Sequence, residues 1–203
     1  MLNRYLEISR QVEQEFERNR SLHGARMLCR AGCSQCCEQL FQITEIEAGW
    51  VSVGMQRMEA ARRERLRERA ASYLVERARL RTATGERETW GKLPPEGTRL
   101  ACPALEDGIC SIYEYRPLIC RKFGMPIFNP DRPDRLMACE LNFKAGEAIE
   151  DNELVQIQTG LHGQWKGLQR DYNCADGRRE QEPVSVARAM VEDFSDCLGE
   201  DAK

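Results

Sequence analysis

Apolar residues recur at helical spacing over residues 2–20, where Leu2, Leu6, Ile8, Val12 and Phe16 stand among Glu, Gln and Arg. That period predicts an amphipathic helix. Gly24, after Ser21-Leu22-His23, is where it should end. Thr44-Glu45-Ile46-Glu47 has the form of a capping box, in which a Thr hydroxyl and a Glu three positions on satisfy each other's backbone donors. A helix should start there, run toward Met58, and continue or restart through about Thr82. Over 57–81 its apolar stripe is thin: Leu66, Tyr73, Leu74 and Leu80. Gly85, Gly91, Pro94, Pro95 and Gly97 make 83–101 a connector. Glu106-Asp107-Gly108 predicts a hairpin turn. Arg116-Pro117 should open a short helix, because proline suits the first helical position. Asn129-Pro130 and Arg132-Pro133 mark loop. Leu154, Ile157, Leu161, Trp165, Leu168 and Tyr172 are three or four apart and predict a helix over about 152–172. A last helix is expected from Pro183 to Leu198, carrying Val186, Met190, Val191 and Phe194.

These elements predict a mainly α fold, a small helical domain with irregular cysteine-rich loops and one short hairpin at most. The expected organisation is an N-terminal amphipathic helix (1–24), a cysteine-cluster domain (25–145) with an Arg-rich helical insertion near 57–82, and a C-terminal helical segment (146–203) packing on it. No internal repeat or low-complexity segment interrupts it. With 203 residues and 41% hydrophobic content the chain can form a core, but aromatics supply only 7%. A bound metal would help such a chain hold together.

Charge removes several functions. Thirty Lys and Arg against 33 Asp and Glu leave a net of −3, with no global pull toward nucleic acid or an anionic membrane. The nine Arg of 57–81 are interleaved with Glu59, Glu64, Glu68 and Glu76, so helical ion pairs and a solvated face explain them better than a phosphate track. Trp50, Trp90 and Trp165 are scattered and offer no base-stacking platform. Gly-rich phosphate loops are absent. His23 and His162 are the only histidines, which leaves little scope for histidine-based catalysis.

Cysteine is the outlier, at ten residues. MLNRYLEISRQVEQEFERNR lacks the apolar stretch of a signal peptide, and no run of 18 apolar residues suggests a membrane span. A cytoplasmic location is therefore expected, where thiols stay reduced and cysteine clusters bind metal; a disulfide-stabilised exported protein is the alternative. Cys29, Cys33, Cys36 and Cys37 form one group, and Cys102, Cys110, Cys120 and Cys139 a second. Thiolates suit zinc and iron–sulfur clusters, and four complete a tetrahedral zinc site. Cys33-x-x-Cys36 can aim two thiolates at one metal, although alone it would also fit a redox motif. Adjacent side chains tend to diverge, so Cys36 and Cys37 serve two metals, or two irons of one cluster, or include one non-ligand. Cys174 and Cys197 stand apart and read as ordinary thiols. His23 lies close enough in sequence to be weighed as a ligand, but the thiols suffice without it. Arg116 and Arg121 flank Cys120 and could offset thiolate charge; equally, Arg116 could cap a turn or pair with Glu114. Tyr113 could donate to sulfur, or simply pack.

Cys33-Ser-Gln-Cys36-Cys37, Cys102-Pro-Ala-Leu105, Cys110-Ser-Ile112-Tyr113, Arg116-Pro117 and Cys120-Arg121-Lys-Phe123 together resemble the YkgJ-type cysteine-cluster family. The resemblance covers about 27–140. It implies a bacterial-type protein that chelates zinc or iron through Cys29, Cys33, Cys36, Cys37, Cys102, Cys110, Cys120 and Cys139, with an iron–sulfur cluster as one form of the iron. One departure stands out: three residues separate Cys29 from Cys33, where the family has two. A related cluster is attributed to flagellin lysine methylases, so the alternative is an iron–sulfur enzyme or electron carrier connected with protein-lysine methylation. No S-adenosylmethionine motif is present, no catalytic residue is assigned, and the partner expected is the metal ion or cluster itself.

Overall fold

The computed structural model describes residues 1–80, 89–91, 93, 97–144, 147–175 and 181–199. The Thr82 helix boundary and Gly85, Pro94 and Pro95 of the connector lie outside them. In chain order the elements are α1 (Leu2–His23), α2 (Glu45–Gln56), α3 (Ala60–Leu80), β1 (Leu105–Glu106), β2 (Ile109–Cys110), α4 (Leu118–Lys122), β3 (Ile127–Phe128), β4 (Leu136–Met137), α5 (Leu154–Ala175) and α6 (Val186–Val191). The fold is mainly α, with two short antiparallel strand pairs. No described helix is long and apolar enough to cross a membrane. The chain divides into two compact units: Met1–Cys36 with Leu118–Arg178, and Cys37–Pro117 with Arg179–Lys203.

In the first unit α1 packs on α4 and α5, and β3 packs on α5. The buried face of α1 begins apolar, at Tyr5, Ile8 and Val12, and continues with the polar Glu15, Asn19 and His23. Glu15 and Asn19 are buried with polar partners, whereas His23 packs against the Phe143 ring. Glu15 receives Arg18 at 2.6 Å and the Asn19 amide at 2.8 Å. Gln158 of α5 donates to the Pro126 carbonyl at 2.9 Å and accepts from the Phe128 amide at 2.7 Å, which ties the β3 edge to the helix. Asp151 accepts from the backbone amides of Glu153 and Leu154 and so starts α5. Met27, Met125 and Phe143 form a small core, with Phe16 and Ile149 packed against it. The β3–β4 pair, Ile127 opposite Met137 and Phe128 opposite Leu136, is a second hairpin beyond the one the sequence suggested.

In the second unit α2 packs on α6 and α3 on α6. The capping box forms as expected: the Thr44 hydroxyl accepts from the Glu47 amide, and the Glu47 carboxylate accepts from the Thr44 amide at 2.8 Å. The helix breaks after Gln56 and restarts at Ala60, where the Glu59 carboxylate caps the new amides. The buried face of α3 is Leu66, Ala70, Tyr73 and Arg77, while Leu74 and Leu80 are only half-buried. Arg77 is accommodated by the Tyr73 hydroxyl and the Phe41 carbonyl. Asp107 and Gly108, both with positive φ, turn β1 into β2; two successive left-handed residues match the twist of a two-residue hairpin.

The last helix is shorter than its apolar spacing predicted. Ser185 caps it at the Arg188 amide, but Glu192 is extended. The Ser52 hydroxyl of α2 donates to the carbonyls of Ala189 and Glu192 and accepts from the Phe194 amide. That hydroxyl takes up groups a continuing helix would have used internally, and Ser195–Leu198 follows as a separate 3-10 turn.

Candidate metal centre

All ten cysteines fall in described residues, and none is joined in a disulfide. The division into units separates the candidate ligands. Cys29, Cys33, Cys36, Cys120 and Cys139 belong to the first unit; Cys37, Cys102 and Cys110 belong to the second.

In the first unit the loop after α1 carries Cys29, turns at Gly32 with φ +87°, and enters a short 3-10 turn beginning at Gln35. Cys139 comes from a distant segment. Its carbonyl accepts from the amides of Asn142 and Phe143, making a tight turn after β4. The Gln35 side chain donates to Glu140 at 2.8 Å, tying the two segments together. Cys29 is half-buried, and burial is the largest influence on it, pushing its thiol pKa up. The Asn142 amide opposes this, while Cys33, Cys139 and Cys36 each raise it further. Three other thiols, one of them from a segment about a hundred residues further along the chain, therefore act on Cys29. Cys120, on α4 of the same unit, is half-buried.

The surroundings of Cys29 are built closely. Asn142 is buried, and its Oδ1 accepts from the Leu28 amide at 2.9 Å. Its Nδ2 donates to the Gly124 carbonyl at 2.5 Å and to Cys29 Sγ at 3.1 Å. Gly124 has φ +117°, and a Cβ there would lie 2.5 Å from Cys29 Sγ. Sequence reading singled out neither residue. Gly124 closes Cys120-Arg121-Lys122-Phe123, a position where glycine often ends a helix; nothing in the sequence marks Asn142.

In the second unit backbone bonds gather the cysteine segments. The Cys102 amide donates to the Cys37 carbonyl at 2.7 Å, and the Leu100 amide to the Glu38 carbonyl at 3.0 Å. The Leu105 amide bonds the Cys102 carbonyl, and Leu105 stands opposite Cys110 in the hairpin. The backbones bearing Cys37, Cys102 and Cys110 are thus linked in sequence of contact.

Other residues take plainer roles. His23 is buried edge-on to Phe143, with ring centroids 5.6 Å apart, and its Nε2 has no hydrogen-bond partner among the described residues. Arg116 donates through Nε to the Tyr113 carbonyl at 2.8 Å, and its guanidinium stacks 3.5 Å from the exposed Tyr113 ring. It caps that turn. Arg121 is buried and paired with Glu13 of α1. Cys174 is exposed near the end of α5, and Cys197 sits in the final 3-10 turn.

Among the described residues, no three His, Cys, Asp or Glu side chains converge closely enough to form a finished coordination shell. The fit to a metal rests on the donor chemistry and on the shaped support of Cys29. Soft thiolates suit zinc and iron, and an amide donating to sulfur is the kind of outer contact that orients a thiolate ligand.

The family model that matches the chain is CxxCxxCC, described as a candidate zinc- or iron-chelating domain, over residues 28–152, more than half of the 203-residue chain. Nothing among curated proteins or solved structures matches it.

Proposed function

This chain belongs to the CxxCxxCC family of candidate zinc- or iron-chelating domains, and on that premise we propose that it chelates zinc or iron through thiolates, with Cys29, Cys33, Cys36 and Cys139 of the first unit as the principal set. The carrying observation is that the loop bearing Cys29, Cys33 and Cys36 is tied to the Cys139 turn, far along the chain, by Gln35 on Glu140 at 2.8 Å and by Asn142 on Cys29 Sγ at 3.1 Å. Four thiolates neutralise and enclose a divalent ion as a tetrahedral site. A metal there would staple the loop after α1 to the turn after β4 and organise the fold around it. Cys120 is a further thiol in the first unit, and Cys37, Cys102 and Cys110 are three more in the second; all belong to the proposed ligand complement. The location proposed is the cytoplasm, where the thiols remain reduced.

A second reading follows from that thiol surplus. With Cys37 directly after Cys36, the thiols exceed what one zinc requires, which favours an iron–sulfur cluster and a role as an electron carrier or enzyme, connected with protein-lysine methylation in the resemblance.

Elemental analysis of anaerobically purified protein, with acid-labile sulfide and the visible spectrum, tests both. Stoichiometric zinc without colour supports chelation of zinc. Iron with matching sulfide and a broad visible band supports the cluster. Metal content should fall in Cys33→Ser and Cys139→Ser and persist in Cys174→Ser. Protein that retains full metal in both of the first two variants refutes the ligand set, and protein with no metal refutes chelation.

A further inference from the structure

Asn142 has one side-chain orientation that satisfies its neighbours. The Leu28 amide is a donor and must face Oδ1; the Gly124 carbonyl is an acceptor and must face Nδ2. Cys29 Sγ lies on the Nδ2 side, at 3.1 Å. The sulfur is therefore required to accept. A thiolate, bare or metal-bound, accepts more strongly than a thiol, since hydrogen bonds to charged acceptors are the stronger ones. Gly124 supplies the room. Its φ of +117° is one that other residues rarely adopt, and the missing Cβ is what lets Cys29 Sγ sit where it does.

The Asn142 backbone N–H also donates to the Cys139 carbonyl at 2.9 Å. One buried residue thus fixes three segments: the backbone before Cys29, the chain leaving α4, and the turn that presents Cys139. Nothing in the cysteine spacing requires an amide at this place.

We propose that Asn142, seated beside Gly124, is the positioning residue that directs Cys29 Sγ toward a metal, an inference resting on the chelation reading above. It explains how Cys29 can remain a ligand although it stands one residue further from Cys33 than in the family pattern. The Cys29 sulfur is located by a side chain over 110 positions away rather than by its spacing from Cys33. Asparagine suits the place because it presents one acceptor and two donors. Aspartate would keep the acceptor for Leu28 but set a carboxylate oxygen against both the Gly124 carbonyl and the sulfur, with no N–H for either.

The test uses the full chain and Co2+, whose thiolate complexes show charge-transfer absorption. Wild type should show that band, and Asn142→Ala should shift it to lower energy and weaken Co2+ binding about 10–100-fold, the usual effect of losing an outer-shell partner. Asn142→Asp should weaken it at least as much. In a Cys29→Ser background, Asn142→Ala should cost less than in wild type, because its contact with the sulfur is already gone and only those with Leu28 and Gly124 remain to be lost. A wild-type band and affinity in Asn142→Ala, or an equal further loss in the Cys29→Ser background, would overturn the inference and leave metal binding intact. Absence of a band in wild type would overturn thiolate binding itself. Should Asn142→Ala fail to fold, wild type loaded with 113Cd gives the same answer. A scalar correlation between the cadmium and the Asn142 side-chain amide protons supports the contact; a cadmium resonance without that correlation rejects it.

Discussion

The Arg18 guanidinium meets the Asp151 carboxylate at 2.5 Å, joining the later turns of α1 to the residue that starts α5. The same guanidinium holds Glu15 at 2.6 Å, and both carboxylates are almost fully buried, with side-chain exposures of 3% and 1%. One cation therefore serves two buried anions. Replacing it with an apolar side chain of similar length leaves both carboxylates without a counter-charge, and breaking a buried pair from one side costs about 3–5 kcal/mol. Arg18→Met should lower stability by that amount in chemical denaturation; a loss below about 1 kcal/mol would show that water reaches the carboxylates.

The same pair gives stability a pH dependence. Arg18 holds the Asp151 carboxyl below its ordinary value, with help from the Glu153 amide. A depressed folded-state pKa means stability that is present above the unfolded value, about 3.9, and is lost as pH falls through the folded one. Melting temperature should therefore fall on acidification below about pH 4. In Arg18→Met this part of the slope should flatten, because Asp151 then titrates closer to its unfolded value. Parallel slopes in the two proteins would mean that other carboxylates govern the acid limb.

The apolar period over Leu2, Ile8 and Val12 makes the first turns of α1 legible in the sequence. Beyond Val12 the buried face passes to Glu15, Asn19 and His23, which no apolar period can mark, because Glu15 and Asn19 are buried on each other and on Arg18, and His23 against the Phe143 ring. The Thr44 cap was legible because both its members are four residues apart or fewer. The early end of α6 was not, since it depends on Ser52 of α2. The cysteines reveal their chemistry by residue type alone. Their support does not: Asn142 is one asparagine among several, and only its contacts with Leu28, Gly124 and Cys29 distinguish it.

Gly124 offers a separate check on the surroundings of Cys29. Alanine there meets a backbone φ of +117° and places a Cβ 2.5 Å from Cys29 Sγ. Strain at such a position costs about 1–3 kcal/mol, and the sulfur must move as well. Gly124→Ala should therefore lower both thermal stability and metal content. A stable protein with full metal content would show that Cys29 is not held against this residue.

Glycines inside helices separate local propensity from packing. Gly160 and Gly163 lie within α5, and a Cβ at either meets nothing within 4 Å. Alanine should stabilise there by about 0.4–1 kcal/mol each, chiefly by restricting the unfolded chain. Gly54 lies within α2, where the same reasoning would predict the same gain. Its Cβ, however, would stand 2.6 Å from Cδ2 and 2.8 Å from Cβ of Tyr115. The Tyr115 ring is itself held by Trp50, at 4.9 Å between centroids, so it has little freedom to withdraw. Overpacking of this kind costs about 1–3 kcal/mol, more than the propensity gain. Gly54→Ala should thus lower the melting temperature while Gly160→Ala and Gly163→Ala raise it, by about 2–4 °C per kcal/mol for a chain of this size. A rise in all three would mean that Tyr115 yields and that helix propensity governs α2 as it does α5.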